Sequence, residues 1–349
     1  HVSSANAIAA SGNSSLAIAS TSNGSVASDY SLTQPTIANA NASITQKVLA
    51  STASIGGTLT KTYDGTTSAT DATVSGTVTG GIAGDNISLN ATGIRLNYDN
   101  AHVNNASAIL ASGSATFRID TSNATSESTD YRMTQPVIAN VAGTITPKAL
   151  TSTASIGGSL TKTYDGTTST GANVVSTVTG AVANDSLGLD TSGVSLAYNN
   201  AHVASANKVT ATGSGALAIS SPTHLSVASD YSFIAPTIAD ATASITPKVL
   251  TTTASIGGSL TKTYDGTTTA TGANVVSSVT GAVAGDTLSL NASGITLAYD
   301  NAHVASASKI SASGSGTLAI ASSANNSVAG DYSFTSPVLA DVNASITAK

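Results

Sequence analysis

The chain repeats itself about every 100 residues, and this period constrains its fold more than any single motif. Tyr-Asp-Gly stands at Tyr63-Asp64-Gly65, Tyr164-Asp165-Gly166 and Tyr264-Asp265-Gly266. His-Val recurs at His1, His102, His202 and His303, and a Lys after an Ile-Thr segment recurs at Lys47, Lys148, Lys248 and Lys349. Spacings this long describe a domain copied in tandem, not a solenoid rung, whose period is usually about 20–50 residues. The spacing divides the chain into residues 1–47, the second half of a repeat, and three full copies at 48–148, 149–248 and 249–349. About 100 residues is enough for one modest core. A half copy cut at Lys47 is expected to expose an unpaired core. Either the matching half lies ahead of His1 in a longer polypeptide, or another chain supplies the missing strands.

Composition narrows the function classes. Charged residues make up 9% of the chain, against about 25% in an ordinary soluble protein, and Glu127 is the only glutamate. The net charge is −6 with the basic residues scattered, so nothing tracks a phosphate backbone and nucleic acid is not an expected partner. No cysteine is present, which excludes a disulfide framework and thiolate zinc sites. No apolar run approaches the about 18 residues of a membrane-spanning helix. Ser/Thr/Gly richness is compatible with disorder, but the charge is small and apolar residues alternate with polar ones, so a folded chain is expected.

In the copy 149–248, Ala149–Ile156 reads as a Thr-rich strand ended by Gly157-Gly158. Ser159–Tyr164 reads as the next, with Leu160, Lys162 and Tyr164 on one face, and Asp165-Gly166 as the turn after it. Further strands are expected at Val174–Thr179, around Leu187–Leu189 and at Val194–Tyr198. One long strand is expected at Lys208–Ile219, with a glycine bulge at Gly213 or Gly215, and others at Asp230–Phe233 and Thr242–Thr246. No window shows a convincing apolar face at i, i+3, i+4 and i+7. The expected fold class is all-β: tandem immunoglobulin-like β-sandwich domains of about seven to nine strands, in an elongated rod. A right-handed β-helix is the alternative, but no spacing of about 25 residues is sustained within a copy.

The junctions carry no Gly/Ser linker. Ile145-Thr146-Pro147-Lys148 runs straight into Ala149-Leu150, and Ile245-Thr246-Pro247-Lys248 does the same, whereas the first junction has Gln46 in place of proline. Proline fixes φ and keeps the preceding residue extended, so these joints are expected to be stiff. Strands at about 3.3 Å per residue then give a rod of very roughly 120–150 Å.

Lys-Thr-Tyr-Asp-Gly-Thr-Thr, at residues 61–67, 162–168 and 262–268, resembles the signature of the YDG repeat of large bacterial surface proteins. Val283–Asp286, Ala329–Ser333 and Ser244–Lys248 are similar to that family's later landmarks, in the same order, and the resemblance covers the whole chain. It implies an immunoglobulin-like repeat from secreted, filamentous-haemagglutinin-like adhesins, located outside the cell at the bacterial surface, with no shared catalytic or ligand residues. The chain departs from the pattern at Ala101–Val103 and its copies, where Asn-Val-Gly is expected, so that loop is expected to be shaped differently.

Several residue groups invite chemistry. Tyr63, Tyr164 and Tyr264 are expected to pack at the sandwich edge, with Asp64-Gly65, Asp165-Gly166 and Asp265-Gly266 making turns. One histidine per copy, with His224 a stray extra, cannot converge on a metal from separate repeats; a loop or edge-packing role is expected instead. No cofactor is expected. Calcium is the alternative, because Asp85, Asp99, Asp185, Asp286 and Asp300 lie in loops or at strand ends, but no D-x-[DN]-x-[DN]-G loop is present. Lys162 is a conceivable donor for an intramolecular Lys–Asn bond, without a nameable partner. Sequons such as Asn41-Ala42-Ser43 are expected by chance. No serine has a His and Asp context and no carboxylates are paired, so an enzyme is not expected.

The sequence therefore points to a stalk that extends a distal binding region of a surface protein. Its partners would be neighbouring repeats or other copies of itself, and host or matrix components through regions outside this segment. The alternatives are repeats that assemble into an extracellular filament or sheath and, with less support from so few aromatics, a glycan-binding sandwich.

Overall fold

A computed structural model describes residues 1–121 and 126–349. The described residues form strands, turns and single 3-10 turns, with no α-helix and no helix long and apolar enough to cross a membrane. The chain divides into two compact units, His1–Lys148 with Thr223–Ser232, and Ala149–Pro222 with Phe233–Lys349. A ten-residue stretch of the second sequence repeat, Thr223–Ser232, thus belongs with the copy before it.

The copy 249–349 shows the repeat in full. Its strands are β1 Lys248–Val249, β2 Thr251–Gly258, β3 Thr261–Thr263, β4 Ala273–Thr280, β5 Asp286–Asn291, β6 Ile295–Tyr299, β7 Lys309–Gly314, β8 Thr317–Ser323, β9 Tyr332–Ser333, β10 Val342–Asn343 and β11 Ser345–Thr347. β2 pairs antiparallel with β4, from Thr251 opposite Thr280 to Gly258 opposite Ala273. β5 pairs with β8 across a bulge at Thr287/Leu288, and β7 lies between β6 and β10. β1 runs parallel to β9, and β3 parallel to β11. Alternation sets the faces: on β2, Thr252, Ala254 and Ile256 turn inward while Thr251, Thr253 and Ser255 face out. β-Branched threonine suits such half-buried pleats.

The copy 249–349 contributes to two apolar cores, not one. Ile256, Ala270, Tyr299, Ile310 and Ile346 form one of them. Leu250, Val279, Leu288, Leu318, Tyr332 and Phe334 join instead the cluster of the preceding copy, around Ile156, Tyr164, Tyr198, Val209 and Ile245. The packing unit straddles the sequence boundary. At that boundary Ser244–Thr246 pairs with Thr161–Thr163 of its own copy, and after Pro247 the strand Lys248–Val249 pairs with Tyr332–Ser333 of the next. A single proline separates one repeat's closing strand from the next repeat's opening one.

Two strand expectations need correction. The strand does not end at Gly157-Gly158 but runs over Thr151–Ser159, with Gly157 opposite Asn173 and Gly158 opposite Ala172. Lys208–Ile219 is not one bulged strand. Lys208–Gly213 pairs with Val194–Tyr198, whereas Ala216–Ser221 pairs with Ser186–Asp190, so the chain changes sheets between them. Gly213 makes the turn at φ 89°, and a Cβ there would sit 2.0 Å from the Gly193 carbonyl oxygen. Val194–Tyr198 is a strand as expected, and Leu160, Lys162 and Tyr164 do share the inward face.

Candidate functional site: the clasp between successive repeats

The Tyr-Asp-Gly turn is built locally. Asp64 Oδ1 accepts hydrogen bonds from Thr66 N at 2.9 Å and Lys61 Nζ at 2.6 Å, and Gly65 follows at φ 80°. Lys61 Nζ also donates to Thr66 O at 2.7 Å and lies 5.4 Å from the Tyr98 ring centroid. Lys162 and Lys262 repeat the arrangement with Asp165 and Asp265. The Asx-type turn is therefore as expected, and Lys162, the conceivable Lys–Asn donor, is engaged with Asp165 and Thr167. Burial works to raise the Asp64 and Asp165 carboxyls, and the hydrogen bonds from lysine and threonine outweigh it, holding both below the usual value. At Asp265 the same bonds, led by Lys262, bring the value down to about 2.

The tyrosines depart from the expected edge position. Tyr63 and Tyr164 are 1% exposed, among the most buried side chains of the chain, whereas Tyr264 is 37% exposed. The two buried ones lie against the following copy. The Tyr63 hydroxyl is 2.6 Å from Ser226 Oγ, and its ring meets Tyr231 edge-on at 5.6 Å. The Tyr164 hydroxyl is likewise 2.6 Å from Ser327 Oγ, and its ring meets Tyr332 edge-on at 5.5 Å.

The histidine loops complete this contact. His102 stacks on Tyr63 at 6.4 Å and His202 on Tyr164 at 6.3 Å. His102 Nδ1 donates to Asp230 Oδ2 at 2.8 Å, and Val103 N donates to Asp230 Oδ1 at 2.9 Å. His202 and Val203 treat Asp331 identically, at 2.8 and 2.9 Å. An ionised carboxylate only accepts, so Nδ1 carries the hydrogen. Asp230 and Asp331 are fully buried, and each also accepts its own copy's 3-10 N-cap amide, from Val227 and Val328, at 2.9 Å. Their charge is thus satisfied on both oxygens by three donors, which a buried carboxylate requires.

The turn glycine is the fourth element. A Cβ on Gly65 would meet the His224 ring at 2.6 Å, and one on Gly166 would meet Asn325 at 2.7 Å; nothing lies within 4 Å of Gly266. His224, read from the sequence as a stray, thus occupies the place that Asn325 holds one copy later. Behind the joint, Ser327, Ser323 and Tyr332 all donate to Asp286, and Val283 N donates to the Tyr332 hydroxyl at 3.2 Å. Burial works to raise the Asp286 carboxyl, but these bonds keep it low, while burial and Asp286 push the Tyr332 hydroxyl up to about 12. The Val283–Asp286 and Ala329–Ser333 landmarks are therefore two sides of one polar network.

The aspartates considered for calcium are spread along the chain and already bonded. Asp99 takes Ser107 Oγ, Ser107 N and Ala108 N, Asp300 takes the equivalent Ser308 and Lys309 groups, and Asp85 takes the Tyr131 hydroxyl. Among the described residues no three His, Cys, Asp or Glu side chains gather as a metal site would require. Sequence reasoning missed the His–Asp pairs. The signal was there: His-Val and Asp-Tyr hold fixed phases in every copy.

A family model described as the YDG domain matches residues 45–135, 146–233 and 246–338. Each match begins three residues ahead of the repeat start set by the lysine spacing. No curated protein and no solved structure matches the chain.

Proposed function

The chain belongs to the YDG domain family, and from that premise we propose that its three tandem copies form the structural stalk of a bacterial extracellular adhesin or surface protein. Such a stalk holds a distal binding region away from the cell. The observation that carries this reading is the clasp. Each closed joint puts a buried carboxylate and a buried tyrosine between successive copies, and the joint of Tyr164 adds a shared apolar core across a boundary that carries no flexible linker. Domains joined only by a tether move independently as a default, and orientation is fixed when the contact is buried and apolar. A buried joint that recurs at Tyr63 and Tyr164 suits a spacer that must keep its length under load.

Negative-stain microscopy of the purified chain tests this. The stalk reading expects isolated particles of one uniform length, and more varied, bent particles once the joint is broken by Asp331→Ala. Ordered lateral bundles of the unaltered chain would overturn it in favour of sheath material. The Thr/Ser-rich strand faces and low charge are what make that second reading physical.

A further inference from the structure

Tension carried by a stalk enters a copy at its first strand and leaves at its last, and in copy 48–148 both strands lie in parallel ladders. The opening residues Lys47, Val48 and Leu49 stand beside Tyr131, Arg132 and Met133, and Thr134 N continues the ladder to Leu49 O at 3.0 Å. The closing residues Thr144, Ile145 and Thr146 stand beside Thr60, Lys61 and Thr62. Thr144 N donates to Leu59 O at 3.0 Å and Tyr63 N to Thr146 O at 2.9 Å, so this ladder is bonded at both ends. The Thr60 and Thr144 hydroxyls are 3.0 Å apart, and Thr146 Oγ1 donates to Lys61 O at 3.2 Å. Leu49 and Ile145 are buried and anchor the two strands. Around Pro247 the closing ladder recurs as Thr161–Thr163 with Ser244–Thr246, and the opening one as Lys248–Val249 with Tyr332–Ser333.

Strand direction decides what such ladders do under tension. The opening strand is pulled toward its N-terminal end, while its partner lies downstream and is held toward its C-terminal end. In a parallel pair these pulls oppose each other along one axis, so the strands slide and the evenly spaced bonds are loaded together. The closing strand and its upstream partner are sheared in the same way. An antiparallel pair behaves otherwise. Ala50 is opposite Thr79, so the pull reaches Ala50–Gly57 and Ala72–Thr79 at one shared end and peels them apart bond by bond. Lys47–Gly57 is one continuous strand, so its parallel segment must give before that peeling starts.

We propose that the two parallel ladders are shear clamps, whose function is to hold a copy folded against tension along the chain. The Lys-Thr-Tyr-Asp-Gly signature then belongs to the clamp. Thr60–Thr62 is the inner strand of the closing ladder, the Tyr63 amide makes its last bond, and the Lys61–Asp64 pair at 2.6 Å ties that strand to the turn after it. The clamp rests on the stalk reading, which is what puts tension on the two ends of a copy.

Single-molecule pulling of the full chain tests it. The chain lacks cysteine, so Ala50→Cys with Ala83→Cys places two handles at exposed positions, on the end where the antiparallel pair peels. Pulled through these handles, copy 48–148 is expected to yield at several-fold lower force than when the same variant is pulled from its two ends. Each end-to-end event is expected to release about 330–360 Å, the length of about 100 extended residues. Forced unfolding follows the unfolding rate along the pulled direction, so the contrast arises at one and the same equilibrium stability. Thr144→Pro removes the amide bonded to Leu59 and is expected to turn one end-to-end event into a weak one. Equal forces in the two directions overturn the clamp, and so does a Thr144→Pro chain that folds and keeps its end-to-end forces. Where Thr144→Pro does not fold, the contrast between directions decides alone. Loss of the clamp leaves the stalk standing, since particle length in the microscope decides that separately.

Discussion

Residues 1–47 and residues 102–148 are the same half of the repeat, and they differ in one respect. Ile8, Tyr30 and Ile44 are 68%, 57% and 55% exposed; their counterparts Ile109, Tyr131 and Ile145 are 0%, 4% and 3% exposed. What survives in the half copy is local: the 3-10 turn at Ala27–Asp29, the Val26–Asp29 cap and the Thr21 turn. What differs is the cover that strands of the first half give to residues 102–148. Ile94–Tyr98 pairs with Ala108–Gly113, and Lys47–Leu49 runs parallel to Tyr131–Met133. The clasp is thus written into a short segment, while the core needs the whole copy. His1 even reaches Asp130 at 2.8 Å, but both side chains stay partly exposed, at 30% and 18%, where Asp230 and Asp331 are dry.

The sharpest break of this comparison lies at the tyrosines. Tyr164→Ala empties a filled joint and is expected to cost about 3–5 kcal/mol, in the range of a buried aromatic truncated to alanine. The same change at half-open Tyr264 is expected to cost less than about 1 kcal/mol. Urea titration of the full chain, followed by tyrosine fluorescence, reads both. Equal costs would mean that Tyr164 stabilises only its own copy.

Ile109→Ala against Ile8→Ala sets the two half copies side by side. The first removes a fully buried side chain at about 2–5 kcal/mol, and the second an exposed one, within about 0.5 kcal/mol. Pairing His1–Lys47 with an added copy of residues 48–101 is expected to raise the cost at Ile8 to that at Ile109. Asp331→Asn is smaller. It keeps the shape but loses the charge in the His202 and Val203 bonds, expected at about 1.5–3 kcal/mol, against near zero for the exposed Asp29→Asn.

Much of this was legible in the sequence, for physical reasons that differ by residue. Val194–Tyr198 alternates cleanly and is a strand; Asp64-Gly65 carries its own turn chemistry in an acceptor side chain and a residue at positive φ. The break at Gly213 was not legible, because a glycine inside an alternating run signals a bulge and a change of sheet alike. The clasp was hidden by the repetition itself. When every copy holds a His and an Asp at fixed phases, the period cannot say whether His102 meets Asp130 of its own copy or Asp230 of the next. Only packing decides that, and it also decides that the core straddles the boundary the lysines mark. The tyrosine burial was missed for the same reason: a residue at the rim of one domain is at the centre of a joint.

The smallest expected effect concerns acid, and it compares the turn aspartates beside exposed Tyr264 and buried Tyr164. Asp265 has a folded value of about 2 against an ordinary 3.8, set first by the Lys262 bond and then by Thr267. A folded value below the unfolded one means that the stabilisation is complete above about pH 4 and drains away as pH falls toward 2. The midpoint of urea unfolding for the third copy is therefore expected to be flat from neutral pH to about 5 and to drop below 4. Asp265→Asn is expected to lower the neutral midpoint slightly and to share the unaltered chain's midpoint near pH 2. The effect stays small because the Asp265 side chain is 47% exposed and solvent screens its pairing with Lys262. At Asp165 the Lys162 bond has the same form and holds the carboxyl below its ordinary value against burial, so its stabilisation is likewise lost as pH falls below about 4. A midpoint that moves between pH 7 and 5 would assign the pH dependence to groups other than these turn aspartates.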